Sequence, residues 1–267
     1  MTPPSAHEET RAAWEANASV WDARMGDQGN DFFNVLCWPA ITRLLQPQPG
    51  QHILDVACGN GLTSRHLAAL GAQVTAFDFS DNLIELARAR TNPKSGAITY
   101  RVLDATDENG LLDALLPVAP FDAALGNMAL FDITDIEPLF RTLPRLLKAG
   151  AAFVFSITHP AFNNASCVRM AEEWDDGGIK TLFSVKVSRY MTPSQSRGVA
   201  LRNQPEPQFY FDRPLQNYLH AGFQNGFVLD GFEERAFPSG HSPADPLSWG
   251  GNFSEIPAVV VARMRKS

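Results

Sequence analysis

Three aspartates in the middle of the chain carry the clearest chemical signal. Asp55 lies in the run Ile53-Leu54-Asp55-Val56-Ala57-Cys58-Gly59-Asn60-Gly61, Asp78 follows it by 23 residues and Asp104 by 49. The residues after Asp55 are small, so a ligand can come close to the backbone, and a helix starting there would add its free N–H groups. A pyrophosphate would be repelled by an acid four residues before Gly59; positive charge would suit it. An acid about 20 residues past such a turn can accept hydrogen bonds from both ribose hydroxyls of an adenosine. Asp78 stands there, and Asp104 could accept from an adenine amino group. Together the three describe a pocket for an adenosine bearing cationic groups in place of phosphates. Each alone has a plainer reading, as a helix cap or a loop acid.

The acids need a scaffold that brings their strand ends to one edge. From Gln51 to about Pro160 short apolar runs alternate with helical ones. Strands are predicted at Gln51 to Ala57, Gln73 to Phe79, Ile98 to Ala105, Asp122 to Leu130 and Ala152 to His159. Each is nearly continuously apolar, as parallel strands covered on both faces should be. Helices are predicted at Leu62 to Leu70, ended by Gly71, at Asp81 to Arg90, capped by Ser80, and at Ile136 to Lys148, ended by Gly150 and kinked or broken by Pro144. This alternation is the signature of an α/β doubly wound sheet, whose ligands bind at the carboxyl ends of the strands. Residues 1–48 read as a helical segment, Glu8 to Arg24 and Asp31 to Leu45, after a disordered first ten. Residues 161–211 lose the regularity and read as an insertion with one alternating run, Leu182 to Tyr190. A helix near Pro214 to Ala221 and strands Phe227 to Phe237 and Ile256 to Met264 close the chain, which is taken as a single domain.

On these residues the sequence resembles the class I S-adenosylmethionine-dependent methyltransferases, in particular those acting on small molecules. The family pattern, an acid followed by Gly-x-Gly-x-Gly, is met by Asp55, Ala57, Gly59 and Gly61, with Ala57 in place of the first glycine. The resemblance covers about residues 50 to 160 well. It implies a Rossmann-like sheet of seven strands in the order 3-2-1-4-5-7-6, the last antiparallel, with 49–160 as the cofactor-binding core. Asp55 and the backbone of Ala57, Cys58, Gly59, Asn60 and Gly61 would hold the methionine end of S-adenosyl-L-methionine. Asp78 would hold the ribose, Phe79 would pack on the adenine, and Asp104 and Ala105 would meet its rim. Asn127 and Met128 would lie beside the sulfonium. The acceptor pocket would be roofed by Trp21, Met25 and Phe33 of an N-terminal lid (1–48) and by a cap (161–211), before a C-terminal helix and final strands (212–267).

The remaining candidates are open at the level of sequence. His159 precedes Pro160 where an acceptor would lie and could take a proton as a methyl group arrives; a strand-end histidine bonded to backbone is the plainer reading. Cys58 reads as small filler in the turn. Asp132 is expected to cap the next helix, His241 could reach the pocket, and Trp174 with Phe209-Tyr210-Phe211 could line it or belong to the core. Three cysteines are an odd number with no paired spacing, so neither a disulfide framework nor a zinc site is expected, and no other metal site is. A net charge of −7 argues against nucleic acid as partner. Asn127-Met128-Ala129-Leu130 also departs from the Asp/Asn-Pro-Pro-Tyr pattern of base methylases. No apolar leader and no run of about 18 apolar residues points to export or a membrane. The expectation is a cytoplasmic transferase, monomer or homodimer, methylating O or N of a small molecule, with secondary metabolism as its setting. Two rivals remain: a protein of this fold that binds the cofactor for cyclisation or sensing, and a nicotinamide-dependent oxidoreductase. Against the latter stand Asp55 and Ser64, which occupies its third glycine position.

Overall fold

The computed structural model describes residues 5–92, 96–201 and 203–267. Seven strands form one sheet: β1 (His52–Val56), β2 (Gln73–Asp78), β3 (Ile98–Val102), β4 (Phe121–Asn127), β5 (Leu147–Thr158), β10 (Phe227–Arg235) and β11 (Val259–Lys266). Their order is β10-β11-β5-β4-β1-β2-β3. From the other edge this is 3-2-1-4-5-7-6, with β11 antiparallel to both β5 and β10. The parallel register places Asp55 opposite Ala76 and Leu125, so the tips of β1, β2 and β4 end on one edge.

Alternation along the strands divides the core in two. Leu54 and Val56, Phe153, Phe155 and Ile157, and Val260, Ala262 and Met264 face α5 (Glu108–Leu115), α6 (Glu137–Leu146) and α7 (Leu215–Gln224). Ile53, Val74, Ala76, Val154, Val259 and Val261 face α2 (Trp38–Leu45), α3 (Leu62–Ala69) and α4 (Asp81–Arg90). Both faces are covered over β1, β2, β4 and β11, which is why these strands read as nearly continuously apolar, whereas the edge strand β10 alternates.

Several boundaries differ from expectation for local reasons. The helix α1 spans Ala6–Met25 because Ser5 and Glu8 form a capping box, so residues 5–10 are not disordered, while 1–4 lie outside the described residues. The segment Asp31 to Leu45 opens with a wide π-helical turn, Phe32–Cys37, before α2. Strand β3 stops at Val102 and β4 at Asn127, where Met128 turns the chain at φ 55°. Helix α6 ends at Leu146, two residues after Pro144, and β5 starts at once, so Gly150 lies inside a strand. Helix α5 was not expected; its signal is Asp107, whose Oδ1 accepts from the Gly110 N–H at 3.0 Å. Within 161–211 lie β6 (Cys167–Asp175), β7 (Ile179–Val187) and β8 (Ser194–Gly198), followed by β9 (Gln208–Asp212), forming hairpins β6-β7 and β8-β9. The alternating run Leu182 to Tyr190 is partly β7. Among the described residues no helix is long and apolar enough to cross a membrane.

Candidate functional site

The carboxyl ends of β1 to β4 open into a cavity of about 640 Å³, walled on the far side by α1 and by β8-β9. Asp55 lies at its floor, 1% exposed, and its Oδ2 accepts from the Ser64 hydroxyl at 2.5 Å. Burial pushes this carboxyl up to about 7, against the pull of Ser64 and with a further push from the charge of Asp78. Ala57 adopts φ 50° and Gly59 φ 55°, so the loop after β1 folds back on itself. The Gly59 N–H donates to Asp78 Oδ2 at 2.9 Å and the Ser80 N–H to Oδ1 at 3.0 Å. Asp78 is nonetheless raised to about 6, because burial outweighs these bonds. Two buried acids thus face one cavity, and among the described residues no cationic side chain is paired with either. A ligand carrying positive charge and hydroxyls would satisfy that set of acceptors.

The loop is held from outside as well. Asn60 Nδ2 donates to Asp22 Oδ1 at 2.9 Å, and Arg90 clasps Asp22 through Nε at 2.5 Å and Nη2 at 2.9 Å. Arg65 Nη1 reaches the Asn60 carbonyl at 2.6 Å. At β3, Asp104 Oδ1 accepts from the Thr106 N–H and hydroxyl, while Oδ2 meets His7 Nε2 at 2.6 Å. At β4, the Ser156 hydroxyl donates to Asn127 Oδ1 at 2.7 Å and the Met128 N–H donates back to Ser156. That network holds Met128 in its left-handed conformation, strain of the kind that collects at functional sites.

The roof comes from distant segments. Helix α1 presents His7, Trp14 and Trp21 at seven-residue intervals to the cavity, with Met25 and Phe33 beyond. From the cap, Gln208 and Tyr210 face inward, whereas Phe209 and Phe211 are buried in packing and Trp174 is exposed.

The Methyltransferase domain family matches residues 54–155. Residues 54–155 form a methyltransferase domain. Over 108 residues it is 38% identical to the ubiquinone biosynthesis O-methyltransferase of Xanthomonas campestris pv. campestris (strain B100), covering 40% of this chain and 43% of that one. The chain thus matches about two-fifths of the length of that curated relative. Among solved structures it is similar to an S-adenosylmethionine-dependent methyltransferase from Mesorhizobium loti, with TM-score 0.65 and 23% identity over 90% of this chain and 100% of that one. It is also similar to the glycopeptide N-methyltransferase MtfA complexed with S-adenosyl-L-homocysteine, with TM-score 0.55 and 14% identity over 94% and 99% of the two chains. At these identities the likeness is one of fold.

In the methyltransferase domain the structure brings Asp55, Ala57, Cys58, Gly59, Asn60 and Asp78 to the cavity wall, and likewise Phe79, Asp104, Ala105, Asn127 and Met128. Gly61 is not part of that wall. It caps α3 at φ 72°, and a Cβ there would collide with the Tyr100 hydroxyl, so the glycine serves packing and turn geometry. His159 is also turned away: it is 5% exposed, its Nε2 meets Glu234 Oε1 at 2.8 Å and its Nδ1 accepts from the Ala161 N–H at 3.1 Å. Burial lowers its pKa, opposed by Glu234. Both ring nitrogens are occupied outside the cavity, which removes it as the base over the acceptor. His241 stacks on Phe237 at 4.5 Å and does not line the cavity either. Asp132 corrects a further expectation: it lines the cavity, with burial raising its pKa well above the usual range. The sequence reading missed the part played by Ser64, His7 and Trp14. For the last two the signal was present, since His7, Trp14 and Trp21 share one helical stripe.

Proposed function

We propose that this chain transfers a methyl group from S-adenosyl-L-methionine to an oxygen or nitrogen of a small molecule by in-line displacement. The observation that carries the reading is the pair of buried acids, Asp55 and Asp78, which face one cavity at the strand ends of a methyltransferase domain with no cation paired to them among the described residues. Asp55 and the Ala57 to Asn60 backbone would hold the methionine end, with Gly61 shaping the turn from behind. Asp78 would hold the ribose, Phe79, Asp104 and Ala105 would frame the adenine, and Asn127 and Met128 would lie beside the sulfonium. When bound, the cofactor supplies a methyl group already activated on positively charged sulfur. The protein's own work is then to align the acceptor and exclude water, which suits a cavity roofed by α1 and the cap. No histidine is required for that, and His159 is not assigned one.

The identity to ubiquinone O-methyltransferases lies in the cofactor half, so it favours a transferase without carrying the acceptor over. The non-transfer rival keeps the cofactor but predicts no methylated product. The nicotinamide rival is disfavoured because Ser64 spends its hydroxyl on Asp55, at the place where that fold needs a third glycine. The three cysteines are free, which suits a reducing cytoplasm. Calorimetric titration with S-adenosyl-L-homocysteine and with NADH tests the reading. Binding of the first is expected; binding of NADH alone would overturn it. Mass spectrometry of turnover with acceptors should then show a product heavier by one CH₂ unit for each demethylated cofactor released.

A further inference from the structure

The cavity holds two further acids that the cofactor reading does not use, one of them close enough to Asp78 to feel its charge. Asp132 lies on the loop after β4. Its Oδ1 is buried without a hydrogen-bond partner, and among the described residues no cationic side chain is paired with it. The side chain of Gln208 faces it from β9 and offsets only part of the effect of burial. Asp212, at the end of β9, is a second cavity acid; its Oδ2 accepts from the Ser196 hydroxyl at 3.2 Å, and burial raises its pKa too. Burial raises the pKa of Tyr210 and both acids push it further the same way, so the three form one neighbourhood.

The loop is built to hold Asp132 in place. Arg213 donates Nη1 to the Leu130 carbonyl at 3.2 Å and Nη2 to the carbonyls of Ile133 at 2.7 Å and Thr134 at 2.6 Å. The Phe211 N–H donates to the Phe131 carbonyl at 2.7 Å. The backbone on both sides of residue 132 is thus pinned. A desolvated acceptor oxygen without a donor is unfavourable, and a donor entering the cavity would relieve it.

We propose that Asp132, supported by Gln208 and Asp212, recognises a protonated amine on the methyl acceptor, so that the substrates are amine-bearing small molecules. This rests on the methyl-transfer reading of the cavity. Two cations also line the cavity, but neither offsets the acids. Arg197 is paired with Glu9 and lies over the Phe209 ring, and Arg169 is exposed and lies over the Trp249 ring. The side chains left without a countercharge inside are acids. Phe131 and Tyr210, with ring centroids 6.0 Å apart, give the same neighbourhood aromatic walls, so a flat ring carrying an alkylamine fits its chemistry.

The test uses the full chain saturated with S-adenosyl-L-homocysteine and three probes of matched shape: tyramine, 4-ethylphenol and 3-(4-hydroxyphenyl)propionate. Calorimetry should show tyramine bound about tenfold more tightly than 4-ethylphenol, the gain of one charge-assisted hydrogen bond, with the carboxylate weakest. Asp132→Asn should bring tyramine and 4-ethylphenol within about threefold of each other while leaving S-adenosyl-L-homocysteine affinity within about twofold, because the charged partner alone is lost. The wild-type series decides the matter even if that variant does not fold. No preference among the probes, a preference for the carboxylate, or binding of none of them overturns the amine site while leaving the cofactor reading intact. Loss of S-adenosyl-L-homocysteine affinity in Asp132→Asn also overturns it, by moving Asp132 to the cofactor. Failure of the wild-type protein to bind S-adenosyl-L-homocysteine overturns the methyl-transfer reading itself.

Discussion

The strand-end wall of the cavity and the cap wall solve different problems. At the strand ends, polar groups are buried, close in sequence and tied to one another: Ser64 to Asp55, Gly59 and Ser80 to Asp78, Asn60 to Asp22. On the cap, the hairpin β6-β7 has only its own two strands to pair with and leaves Ile179 and Leu182 71% and 52% exposed. The first wall is fixed by the core behind it, and the second is attached around the opening. A site of this kind can keep one ligand while that hairpin changes, because its exposed face takes no part in the bonds at the strand ends.

Four measurements would break or sharpen that contrast. The largest effect should come from pH. Asp55 and Asp78 titrate at about 7 and about 6 when folded, against an ordinary value of 3.8. The folded protein therefore holds more protons than the unfolded chain between those values. The stability these acids contribute is greatest below about pH 4 and falls as pH rises from there to about 6 for Asp78 and about 7 for Asp55, by about 1 kcal/mol per pH unit for each acid. Asp132 and Asp212 are raised too and act in the same sense. His52, His66 and His159 are lowered by burial and offset part of the decline below about 6.5, and Asp22, Asp122 and Asp230 are lowered and act in the opposite sense only below that window. Urea titrations of the ligand-free protein should show the decline between about pH 4.5 and about pH 7, and Asp55→Asn should make it shallower, most of all between about pH 6 and about pH 7. A pH-independent midpoint would mean the floor is wetter than the structure has it.

Next in size is Gly61→Ala, which meets both a left-handed backbone and Tyr100 and should destabilise by about 2–3 kcal/mol. Adding Tyr100→Phe should recover part of the loss, and full stability of the single variant would contradict the packing role. Third, Asp78→Ala should weaken S-adenosyl-L-homocysteine binding by about 1–3 kcal/mol, with unchanged calorimetric affinity counting against the ribose assignment. Smallest of all, Ile179→Ser and Leu182→Ser on the hairpin should each shift stability by no more than about 0.5 kcal/mol and leave that affinity alone. A larger loss would show that the hairpin is part of the cooperative core.

Which parts were legible follows the same division. The strands and the acids at their tips could be read because both signals are local: an apolar run a few residues long, then a small-residue turn, repeated from Ile53 to Thr158. Gly61 was legible as a required glycine but not as a packing one, since Tyr100 lies 39 residues further on. For His159 both readings stay open in the sequence, because its position at a strand end says nothing about which way the ring turns, and the carboxylate that takes its Nε2, Glu234, is 75 residues distant. Asp132 was read as a helix cap because acids before helices usually are. Its contact with Gln208 exists only once β9 folds over the loop.

The amino-acid sequence by itself determined the sheet, the glycine turn and the edge on which the acids gather, because backbone periodicity and turn chemistry are settled among near neighbours. Tertiary structure alone decided what those acids face. His7 meets Asp104 across 97 residues, and Arg213 pins the Asp132 loop from about 80 residues away. A buried carboxylate oxygen without a partner, found among the described residues only at Asp132, is a property of the assembled fold and of no segment within it.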